Sequence, residues 1–265
     1  MKKQHLFKAI YLCLLVSSMI APDALAKAKG AKSIPGTAIF VMASEQSVTI
    51  TPKKLVLKEP YLNLEMIIPQ FTGLNDSDFQ KLLNKKLYRE AKQRKKEVTK
   101  LANEYYKDIA KDNIEILPFE YLENYTPIAS QNPYFVVEQF KYQYSGGAHG
   151  ISELSYLVID TAQNKLITLA DLFKDNIDYR SIINQNVSEI IEIRRNNGEF
   201  FFSGSDGFQS IKEEQPFFIN NKGDLVIVFN IYEIAPYVAG PQFITISKER
   251  LTPYLKYFVI LIFMV

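Results

Sequence analysis

The chain has 265 residues, and its small net charge of +2, from 31 Lys and Arg against 29 Asp and Glu, conceals an asymmetry. Residues 27–111 contain 17 basic and 9 acidic side chains, a balance of +8, whereas residues 112–256 contain 11 and 19, a balance of −8. The acidic half argues against nucleic acid as a partner, because phosphate contacts require cations. The halves either neutralise each other or present surfaces of opposite sign to partners.

Residues 1–26 have the pattern of a secretory signal peptide. Three lysines precede an apolar run, and Ala24-Leu25-Ala26 matches the small residues of a cleavage site. The run is shorter than the roughly 17–25 residues that span a bilayer, which disfavours the alternative of a retained membrane anchor. Cleavage would remove Cys13, the single cysteine, and leave an extracytoplasmic chain that begins near Lys27 and folds without a disulfide.

The first part of the chain combines strands with one long helix. Residues 27–47 lack periodicity and predict a flexible linker. Val48–Leu57 and Tyr61–Ile68 are predicted strands, and Asp76–Lys111, which contains no Gly or Pro, is a predicted helix. Five of the eight residues in 89–96 are basic, which indicates either a solvated helix face or a contact with an anionic polymer, such as teichoic acid or phospholipid.

The rest of the chain alternates between strands and helices. The predicted strands are Phe119–Ala129, Tyr134–Tyr144, Ile151–Asp160, Leu166–Leu169, Phe217–Asn220, Leu225–Tyr232 and Gln242–Ser247. The predicted helices are Tyr179–Arg195 and Lys248–Leu255. The pattern predicts an α+β fold of two packed subdomains, 48–150 and 151–256, each with an antiparallel sheet and a helix. The apolar tail 257–265 is either a terminal strand or a frame artefact.

The loop Tyr144–Gly150 has the most unusual composition. It contains three of the eleven glycines and His149, the only histidine after residue 26. Because glycine adopts positive φ without steric cost, we expect Gly146 or Gly147 to do so. Such a loop is either a demanding hairpin or a binding site.

His149 is the first candidate for acid–base chemistry. A triad could combine it with Ser145 or Ser152 and with Glu153 or Glu233, but no nucleophile-elbow motif is present. The simpler interpretation is a loop histidine that hydrogen-bonds to the backbone. Neither cysteine nor a second histidine accompanies it after residue 26, and the sequence predicts no metal or other cofactor.

A second segment, Tyr232–Pro241, combines two tyrosines with two prolines and a glycine. Together with Phe201–Phe202, its tyrosines form either part of an aromatic core or a recognition surface, because tyrosine supplies rigid, amphipathic contact area.

Four segments in this order resemble a known domain pair. They are Tyr144–Gly150, Ile159-Asp160, Ile167–Phe173 and Tyr232–Gly240. Over about Val48–Leu255, the chain resembles the extracytoplasmic part of RsiV-type anti-sigma factors and the N-terminal domain of some peptidoglycan deacetylases. In the anti-sigma members this part binds lysozyme and couples that binding to proteolysis.

The resemblance implies an exported, non-catalytic recognition module for a lysozyme-like protein or a cell-wall glycan. A cell-wall hydrolase or esterase using His149 is the alternative, and membrane contact is expected only if the signal is retained. The expected ligand-binding residues are Ser145, Gly146, Gly147, His149, Tyr232, Glu233, Pro236, Tyr237 and Gly240. Pro236 and Tyr237 would form an apolar centre and Glu233 part of a charged rim, and the acidic half would complement a basic partner.

Overall fold

The structure is a computed structural model that describes residues 38–41, 47–109, 111, 117–130 and 132–256. The predicted signal peptide and the apolar tail lie outside the described residues. Part of the expected linker, Ala38–Val41, instead forms a strand, because Ile39, Phe40 and Val41 make a short β-prone run. No described helix is long and apolar enough to cross a membrane.

Seven strands form one sheet in chain order. They are β1 (Ala38–Val41), β2 (Ser47–Glu59), β3 (Leu62–Thr72), β4 (Phe119–Ile128), β5 (Tyr134–Tyr144), β6 (Ile151–Asp160) and β7 (Lys165–Leu166). Neighbouring strands are antiparallel except β3 and β4, which are parallel. Helix α1 (Ser77–Ile109) connects those two, as a parallel pair requires. The larger sheet is therefore antiparallel apart from this one pair.

A second, smaller sheet completes the α+β fold. Its order is β10 (Gln242–Ile246), β9 (Leu225–Phe229), β8 (Phe217–Ile219), and both pairs are antiparallel. The remaining helices are α2 (Leu169–Leu172), α3 (Tyr179–Asn196) and α4 (Lys248–Leu251). The predicted subdomain boundary at residue 150 falls in the turn that joins β5 to β6, and these two strands pair with each other.

Helix α1 packs on one face of the larger sheet. The Asp76 carboxylate accepts hydrogen bonds from the N–H groups of Asp78 and Phe79, which start the helix. Its buried side chains are Leu83, Leu87, Ala91, Val98 and Ala102. Arg94 enters the same interface and donates two hydrogen bonds, of 2.5 and 2.8 Å, to the buried Glu123 of β4. This bidentate ion pair fixes the position of α1 across the sheet.

Strand β5 lies between two cores. Phe135 and Val137 belong to the core under α1, whereas Tyr134 and Val136 belong to the core shared with the smaller sheet and α3. Successive side chains of a strand point to opposite faces, so four consecutive buried residues mean that both faces are covered. Strand β9 is buried along its whole length for the same reason.

One predicted strand is wrong. Residues 166–169 were expected to continue as a strand, but β7 ends at Leu166 and α2 begins at Leu169. The Asp171 carboxylate accepts hydrogen bonds from the N–H and the hydroxyl of Thr168, at 2.8 and 2.7 Å. This contact stabilises a helix start, and a short apolar run does not reveal it.

Candidate functional site

The structure brings the glycine loop and the Tyr232–Pro241 segment together. The rings of His149 and Tyr237 lie with centroids 4.3 Å apart and planes inclined by 35°. The Tyr237 hydroxyl lies 3.4 Å from the Gly150 carbonyl oxygen, and the Tyr232 ring lies 5.7 Å from the Tyr237 ring. We call His149, Tyr232 and Tyr237 the aromatic patch. Because Tyr232 is 49% and Tyr237 38% exposed, the patch faces solvent, whereas Phe201 is buried in the core.

The glycines of the loop have two different roles. Gly146 and Gly147 have φ of 95° and 91°, which confirms the expectation that one of them adopts positive φ. Gly150 is buried, and a Cβ placed on it would lie 2.5 Å from the Tyr142 ring. The loop therefore needs glycine twice for backbone conformation and once for close packing.

Tyr232 has an unfavourable backbone conformation. Its φ of 68° places it in the left-handed region, which costs a bulky residue of order 1–3 kcal/mol. The backbone N–H of Glu233 donates to the Asn230 carbonyl, which closes the turn around Tyr232. Strained residues concentrate at functional sites, and here the strain presents an exposed ring beside Tyr237.

The C-terminal part of the Tyr232–Pro241 segment is held by the buried Gln242 and the half-buried Arg194. The side-chain amide of Gln242 donates to the backbone carbonyls of Ala239 and Gly240 at 2.9 and 3.2 Å. Arg194 of α3 donates to the side-chain Oε1 of Gln242 at 3.0 Å. Gly240 has φ of 66°, a conformation that favours glycine. The 3₁₀ turn Tyr237–Ala239 is therefore fixed at its C-terminal end, and its Val238 is exposed.

Asn230 docks the segment onto the larger sheet. Its side-chain oxygen accepts from the Leu154 N–H at 2.7 Å, and its amide donates to the Leu154 carbonyl at 3.1 Å. The carboxamide thus pairs with β6 as a neighbouring strand would. This contact joins residues that are 76 positions apart, and it places Tyr237 next to Gly150.

The acids expected near His149 are engaged elsewhere. Lys141 pairs with Glu153 at 3.7 Å, and Lys212 pairs with Glu233 at 2.7 Å. The side chain of Glu233 is only 17% exposed, so it does not supply the open charged rim that was expected. His149 Nδ1 lies 3.2 Å from the Gly150 carbonyl oxygen, and no carboxylate bonds to His149 within the described residues.

The nine predicted residues fall into distinct positions. His149, Tyr232 and Tyr237 form the aromatic patch, and Ser145 is exposed in the loop. Pro236 immediately precedes the 3₁₀ turn, whose Val238 is 92% exposed. The residues that sequence reasoning missed are the positioning residues Asn230, Gln242 and Arg194. Within the described part of the chain, no group of three His, Cys, Asp or Glu side chains could hold a metal ion.

Two family models match successive parts of this structure. The model described as "Deacetylase PdaC" matches residues 56–152, and "Protein of unknown function (DUF3298)" matches residues 170–249. The anti-sigma-V factor RsiV of Bacillus subtilis is 26% identical over 190 residues, or 69% of this chain. The order of the two models and the similarity to RsiV support an RsiV-type domain pair over this part of the chain. The match spans 62% of that relative's length.

Solved structures share the fold of the domain pair. A DUF3298 family member from Bacteroides fragilis has a TM-score of 0.65 and 18% identity, covering 83% of this chain and 98% of that one. A DUF3298 family protein from Pseudomonas aeruginosa has a TM-score of 0.56 and 15% identity, covering 81% and 96%. Identity this low shows the fold alone. Together with the family models, the similarity to RsiV supports an extracytoplasmic recognition or regulatory domain.

Proposed function

We propose that the domain pair is an exported recognition module that binds a lysozyme-like protein through the aromatic patch. The observation that carries the proposal is the solvent-facing contact between His149 and Tyr237, flanked by Tyr232. Tyrosine, together with tryptophan and arginine, is enriched among the residues that dominate the binding energy of protein interfaces. A cell-wall glycan is the other candidate ligand, since aromatic faces also pack against sugar rings.

Contacts within the chain hold the patch in place. Hydrogen bonds of Gln242, Arg194 and Asn230 fix the backbone of the segment that carries Tyr232 and Tyr237. Binding therefore orders few additional groups, and less of the contact energy is lost to conformational entropy. This feature supports recognition by a fixed surface.

Charge near the patch favours a basic partner. Glu213 and Glu214 are exposed directly after Lys212, which contacts Glu233. With the balance of −8 over residues 112–256, they would raise the encounter rate of a basic protein such as lysozyme. We assign the charged rim to this acidic pair in place of Glu233.

The direct test compares Tyr237→Ala with Leu82→Ala, which truncates an exposed apolar residue on α1. We expect Tyr237→Ala to raise the dissociation rate of lysozyme roughly 30-fold, as the loss of about 2 kcal/mol at a hot spot implies, and Leu82→Ala to leave it unchanged. The double variant E213Q/E214Q should lower the association rate and weaken its salt dependence. Calorimetry that detects no lysozyme binding at about 100 μM would refute a lysozyme ligand, and the same titration with peptidoglycan fragments tests the glycan.

Variants of His149 distinguish a recognition module from an enzyme. His149→Phe keeps an aromatic ring against Tyr237, whereas His149→Ala removes it. A recognition module should retain affinity in the phenylalanine variant and lose it in the alanine variant. A hydrolase or esterase that uses His149 as its base should lose on the order of 10²–10⁴ in rate in both. Peptidoglycan or acetyl-ester turnover that vanishes in both variants would replace the proposal with the enzyme alternative.

A further inference from the structure

A lysine-lined groove lies between β2 and α1. It is an open groove of about 590 Å³, with Leu55, Leu57 and Tyr88 among its apolar lining and Lys92, Lys96 and Lys100 among its cations. A run of lysines on a helix commonly marks a convex, solvated face. Here the lysines border a concave surface with apolar side chains, which is the form of a binding site.

The positive charge in this groove is largely unneutralised. Within the described residues, neither Lys92 nor Lys96 has a carboxylate within 4 Å, and Lys100 pairs only with the exposed Glu104 at 3.9 Å. Lys53 adds a further cation, with Nζ 3.7 Å from the centroid of the Tyr88 ring. The groove therefore has a positive electrostatic potential that attracts anions.

The spacing of the lysines indicates the form of the anion. Lys92, Lys96 and Lys100 follow one another at intervals of four residues, which places successive backbone positions about 6 Å apart along the helix. Each ammonium is a point charge that can bind a single phosphate oxygen. An open groove with a periodic row of cations suits a linear polymer with one negative charge per repeat.

We propose that this groove binds a linear polymer whose units are joined by phosphodiesters, such as a polyol phosphate of the cell envelope. Phosphates would contact the lysine row, and the C–H surfaces of the polyol would pack against Leu55 and Leu57. The lining contains none of the residues of the aromatic patch. Polymer binding and lysozyme recognition are therefore separate functions of one molecule.

The test measures fluorescence anisotropy of labelled poly(glycerol phosphate) with three forms of the full chain. The groove variant is K92A/K96A/K100A. The matched control, K81A/K85A/K86A, removes the same charge from exposed lysines of the same helix outside the groove lining. We expect the groove variant to lose at least tenfold in affinity, and its slope of log K against log salt to flatten by about 2, near 0.7 for each lost phosphate contact. The control should change affinity by less than threefold.

Three results would overturn this proposal. Equal losses in the two triple variants would mean that net charge and not the groove attracts the polymer. Equal affinity for poly-L-glutamate would remove the requirement for phosphodiesters. Binding to phosphatidylglycerol vesicles without binding to the polymer would assign the groove to a lipid surface. Melting curves establish that each variant is folded, and Tyr237→Ala, which should bind the polymer normally, keeps this test independent of the lysozyme proposal.

Discussion

Truncation of Asn230 tests the contact that assembles the aromatic patch. Asn230→Ala removes both hydrogen bonds to Leu154, of 2.7 and 3.1 Å, without leaving a large cavity. Strand β7 pairs only with residues 159 and 160 of β6, so no described strand covers the edge of β6 at Leu154. Leu154 itself is buried, and its N–H and carbonyl would lose their partners.

The expected cost follows from these two bonds. Each contributes about 1 kcal/mol net, and a buried backbone group left unsatisfied costs about 1–3 kcal/mol, so we expect a loss of roughly 2–4 kcal/mol in the free energy of unfolding. For a chain of this size, that loss lowers the melting temperature by roughly 5–15 °C. The variant should also lose affinity for the ligand of the patch, because the Tyr232–Pro241 segment is released from the sheet.

Two controls sharpen the experiment. Asn221→Ala truncates an exposed asparagine in the turn between β8 and β9, and it should change stability by less than about 0.5 kcal/mol. Asn230→Asp keeps the acceptor for the Leu154 N–H but places a carboxylate oxygen where the donor to the Leu154 carbonyl was, so it should also be less stable than wild type. Urea unfolding and differential scanning calorimetry provide the measurements. If Asn230→Ala unfolds like wild type and binds the same ligand equally well, Asn230 does not hold the segment.

Two further predictions concern stability. Gly150→Ala should destabilise the protein by about 1–3 kcal/mol, because its Cβ would lie 2.5 Å from the Tyr142 ring. Gly147→Ala should cost only about 1 kcal/mol, for its positive φ, because no atom lies within 4 Å of its Cβ. Equal midpoints of urea unfolding for the two variants would contradict this order. Partial burial opposes ionisation of the Asp171 carboxyl. Hydrogen bonds from Thr168 and Lys165 outweigh this effect and lower the pKa of Asp171 below its usual value. Its stabilisation is therefore present above about pH 4 and is lost as pH falls through the lowered pKa, so Asp171→Asn should be less stable than wild type at pH 7 and nearly equal near pH 2; a difference that does not vary with pH would argue against this.

Long periodic elements could be predicted from the sequence, whereas short ones could not. Helix α1 was predicted as Asp76–Lys111 and spans Ser77–Ile109, because its apolar stripe extends over many turns without Gly or Pro. The predicted strand Leu166–Leu169 is wrong beyond Leu166, because four residues with two leucines fit either period. The decisive contact there is between the side chain of Asp171 and Thr168, and it depends on local geometry.

The candidate site was only partly predictable for a different reason. The composition of Tyr144–Gly150 identified a loop with positive φ, since that requirement is local. The contact between His149 and Tyr237 joins residues far apart in sequence, and it depends on Asn230, whose role no local pattern indicates. The inward position of Glu233 likewise depends on Lys212, which lies 21 residues away. The family resemblance included both Tyr144–Gly150 and Tyr232–Gly240, but only the structure shows that these two segments are in contact.

The basic and acidic halves of the chain form almost no ion pairs with each other, so they do not neutralise each other by direct contact. Twelve ion pairs occur among the described residues, and only Arg94 with Glu123 joins the basic half to the acidic half. That single pair lies in the interface between α1 and β4, where it positions the helix. The lysines of the groove and the exposed Glu213 and Glu214 therefore remain available to attract partners of opposite charge. Because the two surfaces carry opposite sign, salt should weaken both interactions through separate groups, and neutralising one surface should leave the salt dependence of the other unchanged.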